Sequence, residues 1–311
     1  MKDKSIMSNF KATYKPGMFS QPKLLLATPK RYSLYGQFGS GKTRTAATLS
    51  KYFPQTVPAP EPVILHDMVW VAAEDGLATL AALNIHPKYV LNMIEMQQRS
   101  SDGATAADAL QAADWIEKEL TYIRNNDPEV DICVVDTVTA FNASIVDAWF
   151  AKDEKTNVET SGKPNPQRTW GKIGSTCNGF FNHIQILGFK SVWLAHPGEN
   201  QDLLVSQQSK IESSVQESRS ASNIARTSIH GGPIEMAMQG GFRKTVNGSV
   251  DINFWLTMET KNGKTRRVLK HLGDSMAGGK SRFEHILADS EEPNLLAIET
   301  KIKNWNNKQP V

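Results

Sequence analysis

Gly36-Gln37-Phe38-Gly39-Ser40-Gly41-Lys42-Thr43 has the form G-x-x-x-x-G-K-T, and the reading of every other segment follows from it. Glycines let successive backbone N–H groups turn inward as a cradle for an anion, and the helix expected next adds its positive amino end. Lys42 is placed to reach the β- and γ-phosphates of a nucleotide, and the Thr43 hydroxyl to ligate magnesium. The cofactor-binding set is therefore Gly36, Gln37, Phe38, Gly39, Ser40, Gly41, Lys42 and Thr43, with Arg44 directly after. The surroundings agree: residues 31–35 are β-rich and lead into the loop, and residues 44–53 form a predicted helix stopped by Pro54.

The chain has 311 residues, 40% of them hydrophobic, which is enough to bury a large core. Its net charge of +3 provides no global basic field. Nucleic-acid affinity would have to come from local patches, and two exist. Residues 1–31 hold seven Lys or Arg against Asp3, and residues 261–282 hold seven against Asp274. The only cysteines, Cys133 and Cys177, support neither a disulfide framework nor a zinc site. No apolar run reaches the length of a membrane span and no secretory signal is visible, so the expectation is a cytoplasmic protein without a membrane partner.

Residues 1–30 are expected as a basic, irregular arm, and the prolines at 54, 58, 60 and 62 as a stiff connector. Residues 67–73 read as a buried strand, next to that of the phosphate loop, closing on Glu74-Asp75-Gly76. A carboxylate at the carboxyl end of a strand in an open α/β sheet is well placed to activate water, which makes Glu74 the candidate general base. A helix-capping acid is the structural alternative. Strand and helix then alternate: 89–94 strand, 104–124 helix, 131–136 strand, 139–150 helix. The four apolar residues before Asp136 predict a strand buried on both faces that delivers this carboxylate to the magnesium beside Thr43. Residues 151–169 form a polar loop, 170–187 a helix, and 190–196 a strand ending at His196. That histidine can hydrogen-bond the γ-phosphate or the attacking water, or make a merely structural bond. Residues 198–232 are rich in Gln, Ser and Asn, and 250–258 with 265–271 form a hairpin around Lys261-Asn262-Gly263-Lys264. From about Asn304 the chain is polar and expected to fray.

GQFGSGKT at 36–43, VWVAAED at 69–75, ICVVDTVTA at 132–140, SVWLAH at 191–196 and GGKSRF at 278–283 together resemble the RecA-like ATPases, the group of RecA, RadA, the DnaB-type helicases and KaiC. The chain looks most like compact bacteriophage P-loop ATPases, including RecA-like phage single-strand annealing proteins. The resemblance implies ATP and Mg2+ as cofactors, Glu74 as the catalytic glutamate, and His196 as the γ-phosphate sensor, a position often filled by glutamine. It implies that 151–169 and 198–232 are DNA-contacting loops. It implies that Lys280 and Arg282 reach the neighbouring subunit's nucleotide, although the glycine expected after Phe283 is Glu284. Loop 198–232 carries three basic against four acidic residues and no aromatic ones, which is unlike a DNA funnel.

These expectations amount to one α/β domain at 31–290, RecA-like, with a mostly parallel sheet, helices on both faces and a C-terminal antiparallel hairpin. Residues 1–30 precede it as an arm and 291–311 follow as a tail. The expected function is magnesium-dependent ATP hydrolysis coupled to single-stranded DNA in recombination, annealing or repair, by a ring or filament of identical subunits. A hexameric helicase and a nucleotide-gated assembly ATPase without DNA are the alternatives.

Overall fold

Residues 68–72, 132–135 and 192–195 are apolar at every position, a composition that only a strand covered on both faces can use. The computed structural model describes residues 29–99, 108–153, 166–199, 234–236, 238, 240–261, 263–271 and 280–308. The expected arm and most of the expected loops 151–169 and 198–232 lie outside the described residues, as does the glycine pair at 278–279.

In chain order the elements are β1 (Arg31–Tyr35), α1 (Lys42–Ala47), β2 (Val63–Ala72), α2 (Leu77–Ala81), β3 (Ile85–Asn92), α3 (Met93–Arg99), α4 (Asp108–Asn126) and β4 (Ile132–Asp136). There follow α5 (Val138–Asp153), α6 (Pro166–Ile186), β5 (Lys190–Ala195), β6 (Pro197–Glu199), β7 (Ile234–Met236), α7 (Gly240–Ser249), β8 (Ile252–Lys261), β9 (Lys264–Lys270), β10 (Lys280–Ser281) and α8 (Leu295–Asn306). The main sheet has eight strands in the order β10-β8-β1-β5-β4-β2-β3, with β9 paired to β8. All pairings from β8 through β3 are parallel, and β9 and β10 run antiparallel to β8. The expected α/β sheet with its C-terminal hairpin is therefore present. One neighbour differs from expectation: β2 follows the phosphate-loop strand in sequence, but β5 and β4 lie between them in space.

Side chains alternate across the sheet with period two. Met68, Trp70, Ile132, Val134, Val192 and Leu194 face α1 and α8. Val69, Val71, Cys133, Val135 and Trp193 face the opposite layer of α4, α5, α6 and α7. There the rings of Phe181 and Trp193 pack at 4.6 Å and those of Phe141 and Phe180 at 4.4 Å. The stretch read as a C-terminal tail includes α8, capped by the Asn294 side chain on the Ala297 N–H. Leu295, Ile298 and Ile302 of α8 are buried, and its buried Glu299 accepts from Lys190 at 3.0 Å.

At the amino ends of β1 and β8, Asp251 ties the two strands together. It accepts from the backbone N–H groups of Lys30 and Arg31 at 2.9 and 3.1 Å and from the Arg31 guanidinium at 3.0 Å. Arg282 adds a second guanidinium at 3.4 Å. Replacing this nearly buried carboxylate leaves two backbone donors and Arg31 without it, so Asp251→Ala is expected to lower stability by about 2–3 kcal/mol. Urea unfolding checks this; a loss under about 0.5 kcal/mol would mean the clasp contributes nothing.

Candidate nucleotide site

Strand register creates the site. Tyr35 pairs with Ala195, Leu194 with Asp136, and Asp136 with Ala72. The carboxyl ends of β1, β5, β4 and β2 thus finish level, and the residues just beyond them meet at one edge, where open α/β sheets hold ligands. They open onto a cavity of about 720 Å³ lined by Phe38, Gly41, Lys42, Thr43, Glu74, Asp136, His196 and Arg267, among others.

The loop turns at Gly39 and Gly41, whose φ values of 70° and 100° favour glycine. The α1 helix is shorter than expected and gives way after Ala47 to turns held by Thr48, Leu49 and Ser50 N–H groups. Lys42 is buried, and its ammonium donates to Gly36 O at 2.8 Å and Gln37 O at 3.2 Å, with His196 Nδ1 at 3.5 Å. Burial lowers its pKa, an effect opposed by the charges of Asp136 and Glu74.

Thr43 Oγ1 donates to Asp136 Oδ2 at 3.0 Å. Asp136 is buried, and Gly76 lies so near that a Cβ there would collide with its carboxylate. Burial pushes the Asp136 pKa up to about 6, with Glu74 adding to the rise and the Thr43 hydrogen bond opposing it. Glu74 goes the other way. Burial alone would raise it, but hydrogen bonds from His196 and Thr137, and the charges of His196 and Lys42, hold it below its ordinary value. Its two oxygens lie 3.1 and 3.0 Å from His196 Nε2, and Thr137 Oγ1 donates to Oε2 at 3.0 Å. A carboxylate only accepts, so the proton between Glu74 and His196 sits on Nε2, while Nδ1 faces Lys42. The backbone N–H of His196 donates to Thr139 Oγ1 at 3.0 Å, and its ring stacks on Phe38 at 3.9 Å.

Of the residues singled out in the sequence, Lys42, Thr43, Glu74, Asp136 and His196 are brought together with the phosphate loop. Arg282 is not: it lies against Asp251 at the opposite ends of the strands, and β10 puts Lys280 at that same end. Three contributors escaped the sequence reading. Thr137 orients Glu74, Gly76 makes room for Asp136, and Arg267 of β9 lies over Gly41. Only Thr137 carried a signal, as the hydroxyl directly after the strand-ending acid.

The donors fit a nucleotide and magnesium. Ser40 Oγ, inside the loop, is buried without a partner, an orphan that a phosphate oxygen would satisfy. Among the described residues no cluster of three His, Cys, Asp or Glu could cage a metal. One hydroxyl and one carboxylate are what an ion shared with phosphate oxygens and water requires.

A raised carboxyl pKa has a definite sign for stability. Between the ordinary 3.8 and about 6 the folded chain holds more of the Asp136 proton than the unfolded one, so stability falls as pH rises and the cost is complete above about 6. In the nucleotide-free protein Asp136→Asn is expected to gain roughly 3 kcal/mol at pH 7.5, the gain shrinking toward pH 4.5. Urea unfolding across that range measures it, and a pH-independent difference would assign the effect to packing instead. Magnesium-dependent nucleotide binding should weaken in the same variant.

A family model described as an AAA domain matches residues 28–283, which takes in every strand of the sheet and the whole site. No curated protein matches the chain. No described helix is long and apolar enough to cross a membrane. With a match over most of its length, the chain belongs to the AAA domain family, as a P-loop ATPase of AAA type whose class of activity is nucleotide hydrolysis.

Proposed function

We propose that the chain is a magnesium-dependent ATPase that couples hydrolysis to single-stranded DNA, in phage-type recombination, annealing or repair, and that it works as a ring or filament. The observation that carries the hydrolytic part is the convergence of Lys42, Thr43, Asp136, Glu74 and His196 on one cavity at the sheet's carboxyl edge. Lys42, moved off the loop carbonyls, neutralises β- and γ-phosphate oxygens. Thr43 and Asp136 hold the magnesium ion, which when bound supplies positive charge to the same oxygens. Glu74 has a depressed pKa and two donors on its carboxylate, so it is ionised and oriented, suited to positioning a water for in-line attack. His196 touches both Lys42 and Glu74 and is positioned to relate the phosphate end of the site to the water end.

Support for DNA comes from the α5–α6 pair, which is antiparallel: Phe141 meets Phe180, Trp149 meets Thr176 and Asp153 meets Thr169. At its far end, flanking residues 154–165, Phe150 and Trp170 pack edge to face at 5.0 Å while remaining 37% and 39% exposed. Lys152 and Lys172 lie over the neighbouring, half-buried Trp149 ring at 5.1 and 5.0 Å, Lys172 also pairing with Asp153 at 2.6 Å. Exposed aromatic rings beside cations suit base stacking and backbone contact. The negative balance of residues 198–232 favours instead a nucleotide-gated assembly without DNA. A helicase would differ from both in displacing strands.

ATP hydrolysis measured with and without single-stranded DNA, at low and moderate salt, separates these readings. The expected result is stimulation that weakens with salt, loss of hydrolysis in Lys42→Ala, and a drop of about 10²–10⁴-fold in kcat for Glu74→Gln with nucleotide still bound. Trp170→Ala should weaken DNA binding about tenfold. Hydrolysis indifferent to DNA at every salt, yet abolished by Lys42→Ala, would favour the assembly reading over the DNA-coupled one. A Lys280→Ala, Arg282→Ala double variant with the parent's rate would remove the role of a neighbouring subunit.

A further inference from the structure

The phosphate loop is flanked on two sides, and only one holds the groups expected to do chemistry. β5, β4 and β2, which carry His196, Asp136 and Glu74, all lie to one side of β1. On the other side stand β8 and its hairpin partner β9, and from β9 Arg267 extends back over the loop. A Cβ placed on Gly41 would lie 3.5 Å from Arg267 Cδ and 3.6 Å from Nε. The guanidinium group thus rests on the loop beside Lys42 and lines the same cavity. Among the described residues no carboxylate pairs with Arg267, whereas Arg266 next to it takes Glu259 at 3.4 Å. The acids on the cavity wall are Glu74, Asp75 and Asp136, and Glu74 and Asp136 are already engaged by His196, Thr137 and Thr43.

We propose that Arg267 binds the nucleotide in cis, through the α- and β-phosphates, on the side of the loop away from the reacting phosphate. This rests on the nucleotide-binding reading of the site. The side follows from topology. The γ-phosphate must face Glu74 and His196 for a positioned water to attack it, so a cation arriving from β9 meets the part of the molecule that ATP and ADP share. A guanidinium presents a planar fork of donors that matches two phosphate oxygens, which lysine cannot reproduce. An interaction with the shared part strengthens substrate and product binding alike, without preference for the transition state. Arg267 is in this respect distinct from Lys280 and Arg282, which lie at the other end of β8.

Arg267→Met keeps most of the stem and removes the fork, and Arg267→Lys keeps the charge alone. Titration of each purified 311-residue variant with a fluorescent ADP and with a non-hydrolysable ATP analogue, in magnesium, reads the contact. Both nucleotides are expected to bind about 10-fold more weakly to Arg267→Met, by the same factor, with KM for ATP rising in step. Arg267→Lys should recover only part of the loss. An unchanged ADP affinity in Arg267→Met overturns the proposal. So does a loss confined to the ATP analogue, or a fall in kcat with ADP affinity intact, since either would put Arg267 on the γ-phosphate. Arg267 is exposed, and a thermal melt matching the parent's excludes misfolding as the cause. Should Arg267→Met melt early, Arg267→Gln replaces it with the same expected factor. If the unaltered protein binds neither nucleotide while remaining folded, the nucleotide reading itself fails, an outcome distinct from all of these.

Discussion

Burial of one parallel sheet on both faces is the constraint on which the rest of the structure depends. Each central strand must divide its apolar residues between two helical layers, so a slip of one residue would exchange Trp193 and Val135 with Leu194 and Val134 between environments shaped for the others. The same register levels the carboxyl ends of four strands. Core packing therefore positions the site: the alternation that seats Trp193 among Phe180 and Phe181 also puts His196 opposite Glu74.

Two carboxylates in this site are driven in opposite directions by their surroundings. Asp136 ends a strand in the middle of the sheet, is nearly dry, and has one hydroxyl donor, so its charged form is disfavoured. Glu74 lies two residues past its strand, less buried, and receives an imidazole N–H and a hydroxyl, so its charged form is favoured. The contrast suits the proposed division of labour. A carboxylate kept in deficit of positive charge gains most when a cation arrives, whereas one already satisfied by fixed donors can orient water without needing the metal. On the proposed role of Asp136 as a magnesium ligand, a better-solvated acid would lose less in the empty protein and gain less on binding.

Short motifs at strand ends were legible because their chemistry is local. The phosphate loop needs eight consecutive residues, and Asp136 and Glu74 announce themselves as acids closing apolar runs. Strand order was not legible, since β5 and β4 insert between β1 and β2 through pairings among strands distant in sequence. Helix α8 was missed because Leu295, Ile298 and Ile302 follow helical spacing inside a polar segment, and only the groove beside β1 makes that narrow stripe worth burying. The basic run at 261–282 shows the limit most clearly. Counted as one patch, it is divided by the fold between Arg267 at the phosphate loop and Arg282 at the far end of β8.

That division bears on whether Arg282 can serve a neighbouring subunit while paired within its own. Asp251 is held by two backbone N–H groups and by Arg31 at 3.0 Å, and these partners belong to the start of the strand that carries the phosphate loop. Arg282 is the outermost partner, at 3.4 Å and half exposed. Drawing it away leaves the carboxylate with its three closer donors and the clasp between β1 and β8 intact, so the cost of release is that of a surface ion pair, about 0–1 kcal/mol. A phosphate group on an adjacent subunit, with more charge and a bidentate geometry for the guanidinium, would outbid a shared and partly hydrated aspartate. The cis contact is thus compatible with a role in trans: it stores the arginine in a defined place at little energetic depth, next to the strand whose far end carries the phosphate loop.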